Sequence, residues 1–146
     1  MRPIAPLALL LALPLLASAT SPGTGAVVVA VSGMRSAKGQ VLACLTTRAK
    51  GFPDCRRDPA ARKLAVPANG TVTFRFAALL PGRYALALLH DENGNGKADM
   101  TLMLPREGFG FSRDAAVRMG PPRFAAAAFA VEGDAVTMPV HMRYIF

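Results

Sequence analysis

The chain has no tryptophan, two tyrosines and two cysteines, and its nine acidic residues face 17 basic ones, a formal net charge of +8. Each shortage removes a class of function. Two cysteines that are not spaced C-x-x-C supply neither a four-thiolate zinc site nor a dithiol redox motif. There is no G-x-S-x-G nucleophile elbow and no H-E-x-x-H pair, the two histidines standing at 90 and 141. After residue 16 no apolar run approaches the ~20 residues of a membrane-spanning helix. No long stretch repeats with helical period, which points away from helical bundles and α/β layouts. The most basic stretch, residues 48–63, contains only Phe52 as an aromatic, so the stacking platform of a single-strand nucleic-acid binder is missing.

The first 19 residues read as an export signal. Arg2 precedes an apolar run over residues 7–16, and Ala17-Ser18-Ala19 has the small-x-small form of a signal-peptidase site. The run is short for a membrane span, Pro14 interrupts it, and no cysteine follows the cleavage site to carry a lipid. The expectation is a mature chain of residues 20–146, one domain without a transmembrane span, periplasmic or secreted. Losing Arg2 leaves about +7, which favours acidic envelope partners over nucleic acid, with plain solubility as the competing reading. An oxidising compartment would pair Cys44 with Cys55, closing a loop of about a dozen residues and stabilising the fold by roughly 3 kcal/mol in the chain-entropy treatment.

Short segments of strand character follow one another between turn residues. Residues 26–32 and 40–46 are Val- and Leu-rich and read as a hairpin or meander. Asn69-Gly70 marks a hairpin turn between residues 64–66 and 71–76, where Val72, Phe74 and Phe76 alternate with Thr71, Thr73 and Arg75. Residues 83–90 are apolar on both faces, as a central strand covered on both sides requires. The 47–63 stretch reads as a basic loop with one helical turn near Pro59, and 101–122 as a long ordered loop with an aromatic knot at Phe109 and Phe111. Residues 124–131 suit a strand or a turn of helix equally. In the last segment Val136, Met138, Val140, Met142 and Tyr144 share one face, and Pro139 suits an edge strand or a bulge. The sum is an all-β sandwich or small barrel.

The densest chemistry lies at the end of the central strand. Asp91, Asn93, Asn95 and Asp99 occupy positions 1, 3, 5 and 9 of a calcium loop of D-x-[DN]-x-[DN]-G type, with Gly96 at the sharp turn. Lys97 would add its carbonyl. Position 12 is Leu102, so the closing carboxylate must come from elsewhere, and Glu107 is the nearest downstream candidate. The plainer reading is a solvated turn, because Asn and Gly tolerate positive φ and Asp caps its own backbone.

Three runs carry a family resemblance: Leu80-Pro81-Gly82-Arg83-Tyr84-Ala85, His90-Asp91-Glu92-Asn93-Gly94-Asn95-Gly96-Lys97 and Pro105-Arg106-Glu107-Gly108-Phe109-Gly110-Phe111-Ser112. With Gly120-Pro121-Pro122-Arg123-Phe124 and the closing Arg143-Tyr144, they resemble the bacterial exported family called domain of unknown function 2141. The chain departs from that pattern at Thr101-Leu102-Met103-Leu104-Pro105, where the loop's last ligand would fall. The resemblance implies a β-sandwich of roughly seven strands, similar to transthyretin-like or carboxypeptidase-regulatory-like modules, and brings no established activity. The functional expectation is a non-enzymatic binding or scaffolding module of the cell envelope, with calcium as its candidate cofactor and an envelope protein as its candidate partner. One alternative is a hydrolase-like enzyme built on His90, Asp91 and Glu107, with Ser112 and His141 nearby in chemistry. The other is a binder of anionic envelope glycans through the basic loop, with Arg56, Arg57 and Arg62 as its contacts.

Overall fold

The computed structural model describes residues 23–101 and 104–146. The export signal expected at 1–19 and the loop's twelfth position, Leu102, lie outside the described residues. The strands are β1 (Gly25–Ser32), β2 (Gln40–Thr46), β3 (Arg62–Pro67), β4 (Thr73–Leu79), β5 (Gly82–Asp91), β6 (Met100–Thr101), β7 (Leu104–Pro105), β8 (Gly108–Phe111), β9 (Phe129–Val131) and β10 (Ala135–His141), with one helical turn, α1 (Phe124–Ala127).

Eight of these strands form two sheets. One has the order β10-β1-β4; the other has the order β3-β2-β5-β8, with β9 pairing the start of β5. The β6 and β7 strands form a two-residue hairpin of their own between β5 and β8. The all-β sandwich expectation therefore holds.

Its wiring differs from the sequence reading in a consistent way. Residues 26–32 with 40–46, and 64–66 with 71–76, read as hairpin partners, but β1 and β2, and β3 and β4, lie in opposite sheets, as do β4 and β5. The Asn69-Gly70 turn is thus a crossing between layers. Ala68 and Val72 on either side of it are each 3 % exposed, and their backbones bond to different layers, Ala68 N–H donating to the Gly39 carbonyl beside β2 at 3.1 Å and Val31 N–H of β1 donating to the Val72 carbonyl at 3.0 Å. Each strand in these pairs has one apolar face, and placing the two in opposite sheets lets both faces meet across the same core.

That core is made by Val27 and Val29 of β1, Phe76 of β4, Leu86 of β5 and Val140 of β10, all nearly fully buried, with Val41 of β2. Along β4 the alternation shifts phase before Leu79. Ala78 takes φ 54° there, and the pairing with β1 slips between Phe76 and Leu79. This bulge brings Leu79 inward. Pro139 lies on β10, an edge strand that pairs only β1, so its missing N–H breaks no central ladder.

Three further expectations change. The aromatic knot is a strand: Gly108–Phe111 pairs antiparallel with β5. Glycine is required at 110 because a Cβ there would stand 2.6 Å from Val140 Cγ1. The helical turn expected near Pro59 is absent; turns of 3-10 helix form earlier, at Ala49–Gly51 and Cys55–Arg57, and Arg62 already belongs to β3. Residues 124–131 are both helix and strand, α1 followed by β9. The Cys44 to Cys55 disulfide forms as expected, tying β2 to the second turn with a Cα–Cα distance of 5.9 Å.

Candidate functional site

The central strand β5 ends at Asp91, which is fully buried. Its carboxylate accepts hydrogen bonds from the Gly96 N–H at 2.8 Å, the Asn95 N–H at 3.1 Å and the Gln40 side-chain amide at 2.8 Å. A rigid, covered strand thus hands a fully engaged carboxylate to the loop, and that carboxylate holds the turn. The rest of the loop repeats the device: Asn95 N–H also donates to Asn93 Oδ1 at 3.1 Å, and Lys97 N–H donates to Asn95 Oδ1 at 3.0 Å. Gly94 and Gly96 take φ of 70° and 77°, which L side chains resist.

The amide nitrogens of Asn93 and Asn95 both point to Asp99, the latter at 3.0 Å from each of its oxygens. These donors hold the Asp99 carboxyl below the usual carboxylate range. Asp99 N–H in turn donates to Glu107 Oε2 at 3.2 Å, and Arg106 N–H donates back to the Asp99 carbonyl at 2.9 Å. Glu107, just before β8, is 5 % exposed. Its second oxygen, Oε1, is buried with no hydrogen-bond partner among the described residues. Burial raises the Glu107 carboxyl most, and the negative charges of Asp91 and Asp99 add to that against the backbone N–H groups of Asp99 and Glu92, which pull it down.

The loop therefore gathers the residues expected at Asp91, Asn93, Asn95 and Asp99 and brings the expected Glu107 to them across the β6 and β7 excursion. It does so without a finished cage. Among the described residues no three His, Cys, Asp or Glu side chains stand close enough together to hold a metal ion. Glu107 Oε1 is the one buried side-chain oxygen without a partner among the described residues. A buried, unpartnered carboxylate oxygen is of the ligand type that a hard cation takes, in shells of six to eight oxygens that include amide and main-chain carbonyls.

Beside this loop stands a support that residue spacing did not reveal. Glu92 is gripped by Arg35, whose Nη2 lies 2.6 Å and Nε 3.1 and 3.2 Å from its oxygens, and by the Ser36 hydroxyl at 2.8 Å. The guanidinium holds the Glu92 carboxyl down at about 2. Arg35 also sits 4.5 Å over the Tyr144 ring. Such long-range partners leave no trace in local pattern, since Arg35 and Glu92 fall in separate turns.

His90 is fully buried, and its Nε2 lies 2.8 Å from the Lys38 carbonyl. A carbonyl only accepts, so Nε2 carries a proton, and Nδ1 lies 2.7 Å from the Tyr144 hydroxyl. Ser112 is equally buried; its hydroxyl is 2.6 Å from the Ala127 carbonyl and accepts from Leu86 N–H at 3.0 Å. His141 lies elsewhere, exposed on β10 beside Ser32 at 3.2 Å. The structure thus places His90, Asp91 and Glu107 around one strand end while His90 and Ser112 spend their polar atoms on backbone and on Tyr144.

The arginines of the basic loop are dispersed in role. Arg56 pairs with Asp54 at 2.8 Å, and Arg62 donates to the Ala77 carbonyl of β4 at 3.2 Å. Arg57 remains exposed without an ion pair among the described residues.

No curated protein and no solved structure matches the chain significantly. A family model described as an uncharacterized protein conserved in bacteria matches residues 29–139, from within β1 to within β10, a span that takes in both sheets, the Asp91 loop and Glu107. The chain belongs to that bacterial family, domain of unknown function 2141.

Proposed function

We propose that the protein is a non-enzymatic, extracytoplasmic binding module whose 91–99 loop is stiffened by a hard cation, calcium first. The observation that carries this reading is Glu107 Oε1, buried and unpartnered beside Asp91 and Asp99. A buried polar atom left unpaired costs about 1–3 kcal/mol, and a cation would relieve that cost together with the repulsion among the three carboxylates. Asn93 and Asn95 now turn nitrogens towards Asp99. Their oxygens now accept the Asn95 and Lys97 N–H groups and keep a second lone pair each, so with the Lys97 carbonyl the loop and Glu107 contain enough oxygens for a calcium shell once those side chains turn towards it.

Support for a non-catalytic role comes from His90 and Ser112, whose polar atoms are committed to structural partners in the interior. Extracellular calcium modules bind with dissociation constants of about 10⁻⁴ to 10⁻³ M, matching an exported protein that meets free calcium at such levels. The test is thermal melting of the oxidised protein during calcium titration, with magnesium as control. A saturable rise in Tm with calcium, much smaller with magnesium, is the expected result. Magnesium prefers a tight octahedron and retains its waters, so a loop of this kind holds it poorly. A Tm indifferent to calcium up to about 10 mM, well above the weak extracellular range, refutes the cation and makes the loop a self-sufficient turn.

A further inference from the structure

The five-stranded sheet carries a second apolar face, turned away from the core between the sheets. Its register puts Lys63, Cys44, Ala87 and Phe111 in one cross-strand row, and Ala65, Leu42, Leu89 and Phe109 in the next. Small side chains interrupt this face, Cys44 and Ala87 on the two central strands and Ala65 on the edge strand. Three segments rise around it: the disulfide-bound turn with Pro53 and Cys55, the stretch with Val117 and Pro121, and residues 96–98 of the Asp91 loop. Together they bound a cavity of about 670 Å³, inside the roughly 300–1,000 Å³ range of small-molecule sites.

The walls are predominantly apolar and the rim is cationic. Lys63, Arg56 and Lys97 line it with Asp54. Asp54 and Arg56 neutralise one another at 2.8 Å, while Lys63 and Lys97 make no ion pair among the described residues. An apolar trough of this size with net positive charge at its edge is complementary to a ligand having one apolar chain and one anionic end. We propose that this cavity binds a single-chain anionic amphiphile, a long-chain carboxylate, with its tail across Ala87 and Leu89 and its head group at the Lys63 side of the rim. The site goes beyond the cation reading and does not rest on it, because the sheet supplies its floor; the two share only the wall at residues 96–98.

The test is fluorescence titration of the purified protein with 11-(dansylamino)undecanoic acid in a chelating buffer, followed by displacement with palmitate and with hexadecanol. One saturable site, emptied by palmitate and poorly by the uncharged alcohol, is expected. Lys63→Glu, on an exposed position of an edge strand, weakens palmitate about tenfold, the scale of one lost charge-assisted contact, and leaves hexadecanol unchanged. Ala65→Trp, also exposed, fills the trough and blocks both, with circular dichroism confirming that each variant is folded. The proposal is overturned by failure of the folded protein to take up the probe, by equal displacement by palmitate and hexadecanol, or by unaltered palmitate binding in Lys63→Glu. It is equally overturned if sedimentation shows a second copy covering this face, or if cross-linking places the chain's own apolar residues 7–16 on it. Repeating the titration in calcium separates the two readings: probe binding in chelator stands even if calcium proves inert.

Discussion

Glu107→Gln separates a metal ligand from a merely buried acid. Glutamine keeps the volume and keeps an oxygen to accept the Asp99 N–H that now lies 3.2 Å from Oε2. It removes the negative charge that burial, Asp91 and Asp99 all oppose, and it offers an N–H₂ group to those two carboxylates. In chelator the variant should therefore melt at or above the temperature of the native protein, which is the reverse of what most buried substitutions do. In calcium the order should invert. At 5 mM calcium and a dissociation constant of about 0.5 mM, binding adds RT ln(1 + 10), about 1.4 kcal/mol. For a domain of this size that is about 5 °C in Tm. The native protein should gain this increment and Glu107→Gln should lose most of it, read by differential scanning calorimetry in paired calcium and chelator scans. Equal calcium shifts in the two proteins would remove Glu107 from any shell. A variant that melts far below the native protein in chelator would show that the carboxyl already has a partner and that the unfilled Oε1 does not mark a site.

Three other expectations follow from the fold. Reducing the Cys44 to Cys55 bond, whose cysteines are 11 residues apart, should cost about 3 kcal/mol by the loop-closure argument and lower Tm by about 10 °C; an unchanged Tm in reductant would mean that the unfolded loop is already constrained. The Thr46 hydroxyl, the Ala60 N–H at 3.1 Å and Arg48 stabilise the buried Asp58 as a carboxylate and hold its pKa below the usual value. A carboxyl depressed in the folded state contributes above its unfolded pKa of about 4 and loses that contribution as pH falls through the folded value. The stability gap between native and Thr46→Val proteins in urea should therefore be wide at pH 7 and narrow towards pH 3, and a gap constant with pH would refute the assignment. Gly110→Ala should cost about 1–3 kcal/mol, as overpacking does, because its Cβ would press on Val140 at 2.6 Å; chemical denaturation of that variant checks it.

Local alternation was a reliable guide where a single strand was concerned. The faces of β4 and β10 came out as their sequence patterns require, with Phe76, Met138 and Val140 buried and Thr73, Arg75, Thr137 and His141 exposed, and Met142 just past β10 keeps the alternation, buried. Pairing was not legible in the same way. A turn such as Asn69-Gly70 encodes a reversal, and the choice between a hairpin and a crossing is made by what the flanking residues bury, here Ala68 and Val72. Gly108 and Gly110 suggested a loop because glycine disfavours strands. Their actual reason is close approach, since a Cβ at 108 would collide with the Tyr144 ring and one at 110 with Val140, both some thirty residues away. The spacing of Asp91, Asn93, Asn95 and Asp99 announced the loop, whereas the Arg35, Glu92 and Tyr144 support behind it depends on contacts between distant segments and is invisible to any local pattern.

The placement of Asp91 joins these pieces. It falls on the outer face of the five-stranded sheet, in register with Gln40 and Pro67 and one row beyond Leu89, Leu42 and Ala65. The floor of the apolar cavity therefore runs directly into the carboxylate that holds the loop, and residues 96–98 of that loop form a wall of the cavity. A loop fixed only by side chains capping their own backbone can shift at low cost, because its anchor is a few hydrogen bonds of about 1 kcal/mol each. Were the proposed cation to join the loop to Glu107, that freedom would be lost. Any occupant of the cavity that requires the wall to stand in one position would then bind more tightly in calcium, and calcium would bind more tightly to the occupied protein by the same factor, since the coupling is reciprocal.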